Sequence, residues 1–206
     1  MIRIWGRLSS VNVQKVVWAA REAGVAFERI EAGGKFGIVR TPEYLAKNPN
    51  GLIPLLEDGD FVLWESNAIV RHLCAKYAPG TLSPEPLAAR ADADRWMDWQ
   101  TTTLQPVMGP AFMQLIRAPA AERNTTAIEE SARKTEPLMA ILDAQLAGRA
   151  FVCGAQFTMA NIVLGCATHR WLGLPLARTA RPNVARWYAA LMQRPAVDGV
   201  LTLPLS

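Results

Sequence analysis

Histidine and cysteine are scarce in this chain. Its 206 residues hold two histidines, His72 and His169, and three cysteines, Cys74, Cys153 and Cys166. Each histidine stands alone in a helical pattern, which argues against a histidine-based hydrolase or metal site. The cysteines are far apart, odd in number and set among apolar residues, so they read as buried, reduced thiols rather than disulfides or metal ligands. A reducing, cytoplasmic setting is the expectation. No segment approaches the roughly 18 uninterrupted apolar residues of a membrane span, and "MIRIWGRLSS" lacks the basic region, apolar stretch and cleavage site of a leader. The formal net charge is only +4 with the basic residues scattered, so nucleic acid is a poor partner while small anionic ligands fit. Apolar residues, by contrast, make up half of the chain, enough for a well-buried core.

The first eighty residues alternate strand-like and helical runs, whereas the rest carries helix signals only. "IRIWG" reads as a strand, and Val13, Val16, Val17 and Ala20 then recur at helical spacing until Gly24 closes the run. "AFERIEA" suggests a second strand, parallel to the first through a right-handed crossover. A Gly-rich loop and short helix follow in "GGKFGIVRTPEYLAKN", then a hairpin around Asp58-Gly59 and a helix from Ser66 to about Tyr77. The order is βαβαββα over residues 1–80. "APGTLSPEP" is a linker by composition, and residues 86–206 form an all-helical domain. Its helical stretches run to about Arg117, from about Ala121 to Leu146, from Thr158 to about Leu172 and from Pro182 to Gln193. Pro106, Pro110 and Pro137 should kink or divide them.

Within "NPNGLIPLLEDGDFVLWESNAIV", Pro54 sits at the mouth of a strand, where it removes a ladder donor. An X-Pro bond adopts the cis form at a cost of only about 0.5–1 kcal/mol. A cis Ile53-Pro54 bond would turn the Ile53 N–H and C=O out of the sheet, leaving a free edge for an extended peptide. Ser66 opens a helix just beyond the second hairpin strand, so its hydroxyl and the adjacent N–H groups suit a carboxylate. Glu65 beside it suits an ammonium. Together these are the needs of a short zwitterionic peptide.

The βαβαββα order, "NPNGLIPLLED", "LWESNAI" and, near the end, "RPNVARWYAALMQRPAV" together resemble the glutathione transferase family over nearly the whole chain. The resemblance implies an α/β thioredoxin-like N-terminal domain with a mixed sheet, joined to a helical domain that contributes the second-substrate pocket. It implies that Ile53 pairs with the cysteinyl backbone of glutathione beside cis-Pro54, and that Glu65 and Ser66 hold the γ-glutamyl end. Lys35 and Asn50 are candidates for the glycyl carboxylate. The thiol-activating group then falls within "LSSVNV", where a helix start and a hydroxyl favour an ionised sulfur. Alignment with the serine-dependent, theta- and delta-like members points to Ser10, with Ser9 and Asn12 as alternatives. No cysteine occurs there, which disfavours a disulfide reductase.

The implied activity is attack of the glutathione thiolate on a small apolar electrophile, with glutathione as cosubstrate, no metal or organic cofactor, no membrane and a homodimeric assembly. Met108 and Phe112, beside Pro106 and Pro110, are candidates for the pocket lining. In "FTMANIVLG", Thr158 reads as a helix cap with Asn161 capping back through its oxygen. A glutathione-dependent isomerase, dehalogenase or ether-cleaving enzyme, or a non-catalytic binding module on the same fold, stays open as an alternative.

Overall fold

The computed structural model describes residues 1–206, which divide into two compact units, Met1–Glu85 and Pro86–Ser206. In the first, β1 (Ile2–Trp5), α1 (Val11–Glu22), β2 (Phe27–Ile30), α2 (Pro42–Lys47), β3 (Leu55–Asp58), β4 (Phe61–Trp64) and α3 (Ser66–Tyr77) follow in order. The sheet order is β2-β1-β3-β4. β1 and β2 are parallel, as the long crossover through α1 requires, and β3 runs antiparallel to both β1 and β4. α1 and α3 pack together, with Val13, Val16, Val17, Ile69, Val70 and Leu73 buried among them and the Ile2 and Ile4 side of β1. On the opposite face the Trp5 ring meets Tyr44 of α2 edge-on. β3 is therefore covered on both faces, and Leu55 and Leu56 are both fully buried.

The hairpin turn lies one residue later than its sequence suggests. Asp58 still pairs with Phe61, so the turn residues are Gly59 and Asp60. Only Gly59 has positive φ, 65°, the pattern of a II′ hairpin rather than one needing two left-handed residues. Asp58 thus ends β3 and turns its carboxylate to α3, where Lys76 (2.6 Å), His72 (3.0 Å) and Tyr77 (3.1 Å) reach it.

The second unit holds α4 (Leu87–Trp99), α5 (Gln105–Phe112), α6 (Thr125–Gln145), α7 (Met159–Gly173) and α8 (Pro182–Met192). The prolines do not divide the helices as expected. α6 runs unbroken through Pro137. Gln100–Leu104, between α4 and α5, is a wider turn in which the Gln105 N–H reaches back five residues to Gln100, and Met113–Arg117 repeats the device after α5. A wider turn of this kind absorbs a proline ring and its missing donor without ending the helix. α7 is buried on nearly every face, which makes it the central helix of the unit.

Asn161 differs from its expected role. Its Oδ1 accepts from the Val152 N–H at 3.1 Å and from the Trp187 indole at 3.0 Å, while its Nδ2 points to the Thr158 carbonyl and hydroxyl. The Thr158 side chain makes no capping bond. Asn161 therefore joins a loop, α7 and α8 rather than closing a capping box. No helix is long and apolar enough to cross a membrane.

Candidate active site

The sheet register brings three segments to one end of the first unit. Trp5 pairs with Leu55, and Leu55 pairs with Trp64. One step beyond those pairs stand Gly6, Pro54 and Glu65, leading respectively into the α1 turn, the loop before β3 and the start of α3. The Ile53–Pro54 peptide bond is cis. Ile53 lies outside the ladder, and its N–H and C=O make no hydrogen bond within the protein.

Close packing joins Ile53 to the α1 turn. A β-carbon at Gly6 would lie 2.4 Å from Val13 Cγ2 and 3.3 Å from Ile53 Cβ, so only glycine lets the turn, the helix and Ile53 meet there. Ser10 is the N-cap of α1; its carbonyl accepts from the Val13 and Gln14 N–H groups, while its hydroxyl makes no capping bond. The half-buried Asn12 follows in the first turn, and Ser9 precedes the cap. The positive end of α1 and an uncommitted hydroxyl thus lie in the same turn.

At the third segment, Glu65 is the N-cap of α3 with φ 72° and ψ 111°, and its exposed carboxylate makes no capping bond. A non-glycine residue at positive φ costs about 1–3 kcal/mol and persists only where its surroundings enforce it. Ser66 is buried at the first helical position, among backbone N–H groups that a helix start leaves without internal partners. Behind it the fully buried Lys15 of α1 reaches Asn67 Oδ1 at 3.4 Å, which places its amine beside the residue that follows Ser66.

Several residues not singled out in the sequence hold the Ile53 loop. The Leu52 carbonyl accepts from the Tyr44 hydroxyl at 2.7 Å and from Asn48 Nδ2 at 2.8 Å. Burial pushes the Tyr44 hydroxyl up to about 12, against the pull of its Asn48 bond, so it remains a donor at any ordinary pH. Asn48 Oδ1 accepts from both the backbone N–H and the side-chain amide of Asn50 at 3.1 Å, which commits part of the Asn50 amide. Glu57 anchors α2 to the sheet through Lys47 and the Trp5 indole. Burial favours its neutral form, but the bonds from Lys47 and Trp5 and the charges of Lys47 and Arg3 outweigh that and hold its carboxyl below the usual range.

Two arginines also escaped the sequence reading. Arg40 lies so close over Gly51 that a β-carbon there would sit 2.7 Å from its Nη1, and Arg7 lies similarly over Gly33 and Gly34. Neither carries a motif; only the glycine seats reveal them. Lys35 is exposed, with its ammonium 5.2 Å above the Phe36 ring. In the helical unit Met108 is fully buried and Phe112 nearly so, its ring under the Arg170 guanidinium at 3.7 Å.

A βαβαββα unit with an unpaired backbone edge before a cis-proline, followed by a helical unit, defines the glutathione-transferase class of fold. Residues 1–75 match the family model "Glutathione S-transferase, N-terminal domain", and residues 125–190 match "Glutathione S-transferase, C-terminal domain". Glutathione S-transferase GstB of Escherichia coli (strain K12) is 42% identical over 208 residues, covering 100% of both chains. Glutathione S-transferase 4 of Zea mays is 31% identical, covering 97% of this chain and 91% of its own. Among solved structures, the theta class glutathione S-transferase of Xanthomonas axonopodis pv. citri with glutathione bound superposes with a TM-score of 0.96 at 45% identity, covering 100% and 99% of the two chains. This chain belongs to the glutathione S-transferase family.

Proposed function

We propose that the chain binds glutathione along Ile53, stabilises its thiolate at the start of α1, and directs that sulfur at an electrophilic carbon of a small apolar second substrate. The observation that carries this is the meeting of Ile53, with its unpaired N–H and C=O, and the Ser10 turn at Gly6. Backbone pairing at Ile53 orients the cysteinyl residue, and Glu65 and Ser66 take the γ-glutamyl ammonium and carboxylate. Arg40, with Lys35 and Asn50 nearby in sequence, serves the glycyl carboxylate.

The thiol loses its proton to solvent, and the thiolate is held by the Ser10 hydroxyl and the positive helix end. A carbon–sulfur bond then forms as the bond to the leaving group breaks and the group departs with its electron pair. The protein supplies ionisation and proximity. The exposed Phe61 and Trp64 on the edge strand β4 support a homodimer. The three cysteines form no disulfide, and Cys74 is pushed up to about 12 by burial, which supports a reducing, cytoplasmic setting.

The test is titration of bound glutathione by thiolate ultraviolet absorbance. Ser10→Ala should raise the pKa of the bound thiol and lower turnover while leaving glutathione affinity nearly intact. If Asn12→Ala or Ser9→Ala shifts it and Ser10→Ala does not, the serine assignment fails. Absence of any glutathione binding by calorimetry overturns the reading as a whole.

A further inference from the structure

We propose that Arg7 determines second-substrate specificity, its guanidinium selecting electrophiles that carry a carboxylate or similar anionic group near the reacting carbon. The proposal rests on the glutathione reading of the site.

Arg7 stands in the turn between β1 and α1 and is fixed from both sides. Its N–H donates to the Ala32 carbonyl at 3.1 Å, and its own carbonyl accepts from the Ser10 N–H at 3.1 Å. Its side chain therefore leaves the backbone in the same turn as the candidate activating hydroxyl. The guanidinium end is seated on two glycines. A β-carbon at Gly33 would lie 3.2 Å from Arg7 Nη1 and 3.0 Å from Ile53 Cδ1, and one at Gly34 would lie 3.2 Å from Arg7 Cζ and Nε. Gly33 is thus a shared floor for the Arg7 guanidinium and the Ile53 side chain.

Arg7 is half-buried, yet its guanidinium makes no hydrogen bond or ion pair with the protein. The acidic residue just beyond β2 is already committed: Glu31 accepts from Arg29 Nη2 at 2.6 Å, and that bond, against the opposing effect of burial, holds its carboxyl below the usual range, with the Arg29 and Lys35 charges adding. Arg29 spends its other terminal nitrogen on the Gly6 carbonyl at 3.0 Å. Arg29 and Lys35 thus both act on the Glu31 carboxylate, while the Arg7 charge, with no ion-pair partner of its own, sits on a planar fork suited to bidentate carboxylate recognition.

Glutathione itself has other partners for its two carboxylates in this reading, Ser66 at one end and Arg40, on the Gly51 flank of Ile53, at the other. Arg7 lies on the Gly33 flank, tied to the Ser10 turn that holds the sulfur. The group it meets is the one the sulfur acquires.

The experiment compares S-benzylglutathione with S-(4-carboxybenzyl)glutathione by calorimetry on the full chain, Arg7→Met and Arg7→Lys, with thermal melting to confirm folding. The parent should bind the carboxylated conjugate about tenfold more tightly, in line with one partly screened charge-assisted pair. Arg7→Met should abolish that preference while changing S-benzylglutathione affinity less than about twofold, and Arg7→Lys should keep part of it. Equal affinities in the parent, or a preference that survives Arg7→Met, overturn the proposal. So does an equal loss for glutathione and both conjugates in Arg7→Met, which would place Arg7 on the tripeptide. Failure of the parent to bind S-benzylglutathione is a different result, because it removes the glutathione reading beneath the proposal.

Discussion

The Tyr44 hydroxyl donates to the Leu52 carbonyl at 2.7 Å, so a residue of α2 fixes the backbone immediately before Ile53, the proposed pairing edge. Asn48 supplies the second bond to the same oxygen. Tyr44→Phe removes one of two donors to a carbonyl that keeps the other. The net worth of such a bond is about 1 kcal/mol. A roughly three- to fivefold loss of glutathione affinity is expected by calorimetry, with a similarly small fall in the urea midpoint. Combining it with Asn48→Ala should cost more than the two changes summed, because the carbonyl is then left bare. Unchanged affinity in the double variant would show that this carbonyl does not position the edge.

Glu65 combines strain with a candidate ligand role, which allows the two to be separated. Replacement by glycine relieves the positive-φ cost of about 1–3 kcal/mol, offset by glycine's own entropic cost of about 0.5–1 kcal/mol. Glu65→Gly should therefore melt at the same or a higher temperature than the parent while binding glutathione at least tenfold more weakly. A variant that melts lower and binds normally would mean that the carboxylate serves the fold instead.

How much of this was legible in the sequence depended on distance along the chain. The short helix within "GGKFGIVRTPEYLAKN", the strand–helix alternation and the Glu65–Ser66 helix entry are local signals, because each is set by residues close together in the chain. The hairpin was legible too, but its turn slipped by one residue since Asp58 is held by α3 in addition to its own strand. Tyr44, Arg7 and Arg40 act on Leu52, Gly33 and Gly51, and those pairings exist only once the loops are folded. Nor does composition separate a pocket from a core: Met108 and Phe112 have the side chains of both, and both are buried.

Asp58 gives the fold a pH dependence with a definite sign. Burial favours its neutral form, but hydrogen bonds from Lys76, His72 and Tyr77 outweigh it and lower the carboxyl from 3.8 to about 2. A carboxyl depressed on folding stabilises above its unfolded value and loses that contribution as pH falls through the folded one. The cluster reaches solvent through Lys76, so screening reduces its worth to roughly 1 kcal/mol. Asp58→Asn should lower the urea midpoint at pH 7, and the gap to the parent should narrow between pH 5 and pH 3. A gap of constant size over that range would assign the loss to packing rather than to charge.

Asn161 is the test of the helical unit. Its oxygen serves two fully buried donors, the Val152 N–H and the Trp187 indole, which lie nine residues before it and 26 after it in the chain. Asn161→Ala leaves both unsatisfied, at about 1–3 kcal/mol for each buried group, so a total near 3 kcal/mol is expected after partial relaxation. Asn161→Asp keeps the acceptor for both donors and loses only the long 3.4 Å contacts to Thr158, whose hydroxyl can donate to the new carboxylate. Asparagine-to-aspartate should therefore stay within about 1 kcal/mol of the parent near neutral pH. The measurement is urea unfolding of the three proteins followed by tryptophan fluorescence, for which Trp187 is itself a buried reporter. If the alanine variant is as stable as the parent, the three-way junction of loop, α7 and α8 contributes nothing. If the aspartate variant falls as far as the alanine, the amide nitrogen, not the oxygen, holds the junction.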